Sequence, residues 1–557
     1  MNSISNKKTN FFILPIISAF IGILLFCLIY GVKILNPTYV EWITGRSGDL
    51  VQHYLGWVYY RDTPWTFPLG LIDGLTKPDK ISCIYTDSIP LFAVFFKILS
   101  PILPETFQYA GIWGLFSFAV QGFMSTVLLQ KFSRNPLFCL PASICFILTP
   151  TILQRLYGHD SLSAHWLIIA ALVLWVYQEH KWKNKSTPAV LWAIVAAVAP
   201  LIHIYLMAMV YIVMAGAFIT YILNHKKIRY VLICGSVSVA SSLITMFSFG
   251  AFYSKGGYTD GGLGLYSSNL NTFINPMKNS AFLKPMKIFD GQGEGYGYLG
   301  LGLIIGCFIA LFVSAFFICR LFRNKGFFKY VKEHKGYIIG GILIFIAAFD
   351  LAVSPDVAFN DNMLIMRSYP KIIVSALSVF RASGRFIWIC DYMIYTAVFM
   401  ILSKMNFKKA AYIIVLSITL IQVADLSTML KKENKAYNKN MEYTSPLYSE
   451  EWQKILVGVS EIHYMPISPN HKENYDQYMT LGIYASENDI EMSSFYCARE
   501  NYEDMVEYSE KSLLELKNGG GRKDVLYIFF DKACIPEDNE KLQIYEMNGI
   551  TAGRIIN

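Results

Sequence analysis

Long apolar runs separated by short polar turns fill the chain as far as residue 427. Roughly eleven of them are present, and each is close to the length an apolar helix needs to cross a bilayer. They lie near 11–33, 107–130, 137–153, 161–178, 188–203, 205–223, 229–252, 298–320, 336–353, 386–403 and 408–427. The turns at 131–135, 181–185, 225–229, 320–335 and 404–409 carry Lys and Arg, which assigns them to the cytoplasmic side. The connections between them, 36–106, 154–160, 200–204, 254–297 and 354–385, then face outward. They hold Asp49, Asp87, His159, Asp160, His203, Asp260, Glu294, Arg381 and Arg385. Charges gathered at one rim suit an enzyme or receptor working there. A channel or transporter would carry polar groups through its depth, and Asp350, near the end of one run, is the residue read there.

One further apolar stretch, 88–103 around Lys97 and Pro101, would invert every later loop if it crossed the membrane. It is therefore read as an interfacial or re-entrant helix on the outer face. Beyond Asp425 the pattern turns mixed and charged. Residues 502–516 predict a helix, 525–530 and 542–547 predict strands, and the glycines at 519–521 and the Asn548-Gly549 pair predict turns. The expected architecture is an all-α polytopic membrane bundle over 1–429, with outer loops at 34–106 and 254–297. A soluble α/β domain over 430–557 follows, placed outside by an odd number of crossings from a cytoplasmic N-terminus.

Composition agrees with this class: 557 residues, 54% hydrophobic and 16% charged. The net charge of +8 is absorbed by loops facing an anionic inner leaflet, so no nucleic-acid partner is needed. Lys7 and Lys8 before a long apolar run, with no small-residue cleavage site after it, read as an uncleaved anchor. Most cysteines fall in apolar runs, where Cys behaves as a small hydrophobe. Cys83, Cys497 and Cys534 face outward without metal-type spacing, and a Cys497–Cys534 disulfide is conceivable.

The first outer loop holds the sharpest chemistry. Gly45, Ser47 and Gly48 precede Asp49, so a tight turn could present this carboxylate as a general base; a helix N-cap uses the same oxygens. The stretch after it, with Gln52 and His53, reads as an amphipathic helix on the membrane surface ending near Pro64. Asp87, ahead of Ser88 and Pro90, could pair with Asp49 around a cation, orient an acceptor, or cap a helix. In the turn Tyr157-Gly158-His159-Asp160-Ser161, Asp160 or Ser161 suits a cap and His159 a sugar or phosphate contact. His165 and His203, about a turn inside their runs, fit packing as well as binding. Glu294 stands between glycines at the end of a Gly-, Asn- and Tyr-rich loop that could close over a ligand. Arg381 and Arg385 precede a span, where they oppose the helix dipole; bidentate phosphate binding or snorkelling explains them.

These segments together resemble a bacterial family of multi-pass proteins with a GT-C glycosyltransferase-like fold. The residues that carry the likeness are GDLVQHYLGWVYYRDTPWTFPLG (48–70), YTDSIPLFAVFFKILSPILPETFQYAGIWGLFSFAVQG (85–122) and GEGYGYLGLG (293–302). FRASGRFIW (380–388) and QVADL (422–426) complete it, and YMTLGIYASENDIEMSSFYCARE (478–500) extends it more loosely. The resemblance implies a glycosyltransferase of the bacterial cytoplasmic membrane with its site on the outer face. A polyprenyl-phosphate-linked sugar would be donor and a glycan or protein the acceptor. Asp49 would be the catalytic base and Arg381 and Arg385 the phosphate ligands, with His53, Asp87, His159, Asp160 and Glu294 around the substrate. Members of this fold often carry a second carboxylate beside the base, whereas Asp49 is followed by Leu50 and Val51. The implied mechanism is therefore metal-independent; a divalent metal stays open but is not indicated. The competing expectation is a non-catalytic transporter or a lipid- or glycan-binding assembly protein of the cell envelope.

Overall fold

The computed structural model describes residues 11–46, 48–179, 186–254, 263–467 and 474–556. Asp260, Ser47, Lys7, Lys8 and the basic turn 181–185 lie outside the described residues. Among those described, eight helices are long and apolar enough to cross a membrane. They are Ile13–Tyr30, Ala110–Leu129, Pro136–Arg155, Ile204–His225, Ile228–Ser248, Leu301–Arg323, Phe327–Val353 and Ser383–Ser403. Lys408–Asp425 and Ser427–Tyr437, bent by 53° at their junction, make a ninth if taken as one span. Asp160–Val176, Thr187–Leu201 and Pro90–Ile102 are shorter apolar helices. The chain is thus a mostly helical protein with membrane-length helices and a sheet-containing C-terminal region.

Glycine decides which helices touch. A Cβ on Gly22 would strike the Phe118 carbonyl, and one on Gly122 the Ser18 carbonyl, so Ile13–Tyr30 and Ala110–Leu129 meet backbone to backbone. Gly340 stands in the same relation to the Gly216 carbonyl, and Gly302 to the Ile418 carbonyl. Lipid offers no hydrophobic drive between helices, so such close van der Waals contact is what holds them together.

Helix direction then sorts the polar residues. Ile204–His225 starts beside His203 and ends at Lys226, and Leu301–Arg323 starts after Glu294 and ends in Arg320 and Arg323. Ser383–Ser403 starts at the turn holding Arg385 and runs out before Lys404. The starting ends carry the acidic, histidine and arginine side chains, and the finishing ends the basic turns.

Two antiparallel hairpins interrupt the connecting segments 36–106 and 354–385, β1 (Leu71–Thr76) with β2 (Asp79–Ser82) and β3 (Asp356–Phe359) with β4 (Asn362–Met366). The C-terminal region adds β5 (Glu461–Met465), β6 (Glu491–Met492), β7 (Val525–Phe529), β8 (Leu542–Met547) and β9 (Ile550–Ile555). They form one sheet in the order β6-β5-β7-β9-β8. The helices Tyr475–Glu487 and Tyr502–Lys517 link β5 to β6 and β6 to β7, the crossovers that parallel neighbours require. β8 and β9 are joined at Asn548 and Gly549, whose φ values of 51° and 76° are those of a two-residue hairpin turn. Helix Ser427–Tyr437 packs on the bundle, where the Asn434 amide donates to the Leu28 carbonyl at 2.8 Å.

The sheet region does not stand apart from the bundle. The helix Asp49–Asp62, expected on the membrane surface, is buried between the two. The Trp57 indole donates to the Phe107 carbonyl at 2.9 Å, and the Tyr59 hydroxyl to the Ile490 carbonyl at 2.6 Å. Lys97 of the apolar helix Pro90–Leu99 donates to the Tyr60 and Thr63 carbonyls, both at 2.6 Å, at the C-terminal end of this helix, where a cation is favourable. Its aromatic side chains are claimed from both sides, which leaves no free apolar face for lipid.

Candidate active site

Three of the connecting segments converge first. Asp49 is the first residue of its helix, but Gly48 occupies the cap position at φ 118° and no side chain caps the helix. The Asp49 carboxylate is turned instead to His159, 3.0 Å from Nδ1. Asp87 does not cap the Pro90–Leu99 helix either. Its backbone has φ 52° and Ile89 has φ 50°, a left-handed conformation costly for a branched residue. That bend aims the Asp87 carboxylate at two histidines, His53 Nε2 at 3.7 Å and His203 Nε2 at 3.5 Å. Asp160 lies buried behind them, against His53 Nδ1, and also accepts the Ser161 N–H at 3.0 Å. His203 caps Ile204–His225 through Nδ1, which accepts the Tyr205 N–H at 3.0 Å. His165 belongs to the core: its Nδ1 meets the Tyr392 hydroxyl at 3.0 Å and its ring lies 4.5 Å from that of Trp388.

A second network holds the arginines. Arg385 donates to Glu294 Oε2 through Nε at 2.9 Å and lies 2.8 Å from it through Nη2. Arg155 meets the same carboxylate at 3.1 Å and the Glu294 carbonyl at 3.0 Å. Glycines allow this meeting: a Cβ on Gly384 would lie 2.6 Å from Gly295 Cα, so the two turns approach as only glycines permit. Glu294 is therefore a clamp for guanidiniums rather than a free ligand group. Arg381 stacks over the Tyr266 ring at 5.2 Å, and Arg385 over Tyr205 at 4.9 Å.

A cavity of about 360 Å³ opens between these networks, within the range of small-ligand sites. Asp49, Asp87, His159, His203, Arg381 and Arg385 line it; His53, Asp160 and Glu294 stand outside its lining. The C-terminal domain supplies the remaining wall through Tyr496, Cys497, Ala498 and Arg499. The Gln52 amide donates to the Tyr496 carbonyl at 2.8 Å, and the Ala498 N–H to the Tyr85 carbonyl at 2.9 Å, which seats that wall. Cys497 and Cys534 are free thiols, so the conceivable pairing does not form.

Burial alone would raise the Asp49 carboxyl, but the hydrogen bond and charge of His159, with His53 and Arg385 beyond, bring it below its ordinary value. Burial likewise opposes protonation of His53, yet Asp160 and then Asp87 and Asp49 lift it to about 9. For His203 burial wins, and the ring is pushed down to about 4. Burial is outweighed again at Glu294, which Arg385 and Arg155 hold well below the carboxylate range. Asp49 is thus an anion at neutral pH and can accept a proton. His53, Asp87 and His159 place one ligand atom each within 4.8 Å of one another, a group that could hold a metal ion. Arg155 escapes the sequence reading because it closes an apolar run; the Tyr496–Arg499 wall lies within the stretch 478–500 that carries the looser part of the likeness, but no spacing there marks it as part of the site.

The chain belongs to the family described as a domain of unknown function (DUF6311), which matches residues 19–427. The DUF6311 C-terminal domain follows at residues 451–555. A search of curated proteins finds no match.

Proposed function

We propose that this protein is a membrane glycosyltransferase that moves a sugar from a polyprenyl-phosphate carrier to an acceptor hydroxyl outside the cytoplasm. The observation that carries this reading is that Asp49 lines the same cavity as Arg381 and Arg385. Asp49 takes the proton of the acceptor hydroxyl, whose oxygen attacks the anomeric carbon as the bond from that carbon to the phosphate oxygen breaks. The leaving polyprenyl phosphate gains charge that the guanidiniums offset. Arg155 and Arg385 share one carboxylate, so their network keeps a net positive charge. Asp87, the second carboxylate of the cavity, faces His53 and His203, so it has no nucleophilic role on this reading and the single displacement at the anomeric carbon is inverting. The basic turns at the far helix ends favour an extracytoplasmic site. Counting the two shorter apolar helices 160–176 and 187–201 and the 408–425 helix gives eleven crossings, the arrangement of a GT-C-like bundle in a bacterial cytoplasmic membrane.

The test compares envelope glycans of a deletion strain complemented with parent or Asp49→Asn protein at matched levels. Loss of one glycan on deletion, with a decrease in its formation of roughly 10²–10⁴-fold in the variant, is the expected result. Full restoration by Asp49→Asn removes the base assignment. A transporter or assembly protein is the second reading, and Asp391 is what favours it. This residue lies within Ser383–Ser403 at 1% exposure with both carboxyl oxygens unpartnered, a rare state at membrane depth. On that reading Asp391→Asn, and not Asp49→Asn, abolishes function in the same complementation.

A further inference from the structure

We propose that His53, His159 and Asp87 form a binding site for a divalent transition-metal ion of the Zn²⁺ class at the cavity wall. The inference is independent of glycosyl transfer, since it concerns the binding of the metal alone. One ligand atom from each residue lies within 4.8 Å of the other two. The other polar atom of each side chain is already engaged. Nδ1 of His159 faces Asp49 Oδ2 at 3.0 Å, so it carries the proton and Nε2 keeps its lone pair. Nδ1 of His53 abuts Asp160, while Nε2 turns to Asp87 Oδ2 at 3.7 Å. Asp87 is steadied through Oδ1, 3.5 Å from His203 Nε2.

His203 is excluded as a ligand by its own hydrogen bond. Its Nδ1 accepts from the Tyr205 N–H, which leaves the ring proton on Nε2, the atom that faces Asp87 Oδ1 at 3.5 Å. Each of the three ligands therefore has one outer partner: Asp49 for His159, Asp160 for His53 and His203 for Asp87. Carboxylate–histidine pairs of this kind orient metal ligands and raise their basicity.

A second observation comes from His53 itself. It is 4% exposed, and Nε2, the nitrogen turned away from Asp160, makes no hydrogen bond. A buried polar group left so costs free energy that a metal bond at Nε2 would return. Two imidazoles and one carboxylate suit Zn²⁺, Co²⁺ or Mn²⁺, whereas Mg²⁺ and Ca²⁺ prefer oxygen alone. Bonds of about 2.0–2.2 Å ask the three side chains to draw in by several tenths of an ångström. Three protein ligands leave a coordination position open, and Asp87 and His159 both line the cavity.

The test uses the full chain purified in detergent, stripped with chelator, reloaded with Zn²⁺ or Co²⁺ and desalted. Metal content by mass spectrometry should be about one ion per chain in the parent, with the visible bands of Co²⁺ in a low-symmetry nitrogen–oxygen site. His159→Ala and Asp87→Ala should lose that ion, and His203→Gln should bind it roughly 10–100-fold more weakly. Metal retained undiminished by His159→Ala and Asp87→Ala overturns the site. So does a stripped and reloaded parent that keeps no ion, or one whose Co²⁺ spectrum is that of the hydrated ion; neither of these depends on a variant folding.

Discussion

Glu294 sets two guanidiniums against one carboxylate, Arg155 and Arg385 both being almost out of water. Removing the shared anion leaves two like charges facing each other in a place that cannot solvate them. Glu294→Ala should cost about 3–5 kcal/mol, read as a lower unfolding temperature of the detergent-solubilised protein. Inorganic phosphate should stabilise the variant more than the parent and so recover part of that loss; a variant indifferent to phosphate speaks against an anion seat at these arginines. At this scale the sequence shows charged residues only where charge is unexpected. Asp49, Arg381 and Arg385 stand out because each opposes its local setting or follows glycines. Arg155 does not, because at the end of an apolar run it reads as a snorkelling side chain, and its partner lies 139 residues away. Asp391 is hidden for a similar reason: one acid inside a span gives no local sign of whether a partner exists.

Among the elements, the C-terminal sheet invites its own test. Glu461 of β5 is buried and accepts from Arg522 at 2.7 Å and from the Tyr508 hydroxyl at 2.9 Å, with His463 Nδ1 at 3.0 Å. Burial would raise its carboxyl, but His463, Arg522 and Tyr508 bring it below its ordinary value. A carboxyl lowered on folding contributes stability above its unfolded value, about 4.3, and that stability is lost as pH falls through the lowered folded one. Stability of the domain in the full chain should therefore hold near neutrality and decline on acidification below about pH 4. Glu461→Gln should be about 1–3 kcal/mol less stable at neutral pH and flatter in acid, which a denaturant series at two pH values would show. The same strand explains what periodicity misses. β5 alternates Glu461-Ile462-His463-Tyr464 as a half-exposed strand would, yet its polar positions are buried as well, while β9 contains Gly553 and Arg554. The helix at 502–516 and the strands at 525–530 and 542–547 are legible because a helical repeat, an apolar run and the turn residues at 519–521 and 548–549 mark them out; β1 and β2, around Gly74 and Pro78, have the composition of a loop.

For the whole molecule, the polar ends and the basic ends of the helices make a prediction about sidedness. A reporter active only outside the cytoplasm should work when fused behind the C-terminal domain and fail in the turn at Lys226 and Lys227. The reverse pattern would contradict the outward site. The cavity is also a composite in another sense: its floor begins at Asp49, and its roof is the stretch from Tyr496 to Arg499. A ribosome inserting this chain completes every membrane helix before the roof has been made. On the proposed function, the half-synthesised protein thus sits in a bilayer that holds its donor lipid without a closed chamber in which to act on it. Competence would then arrive only after the sheet domain has crossed the membrane and folded, so the order of synthesis itself would delay the proposed chemistry.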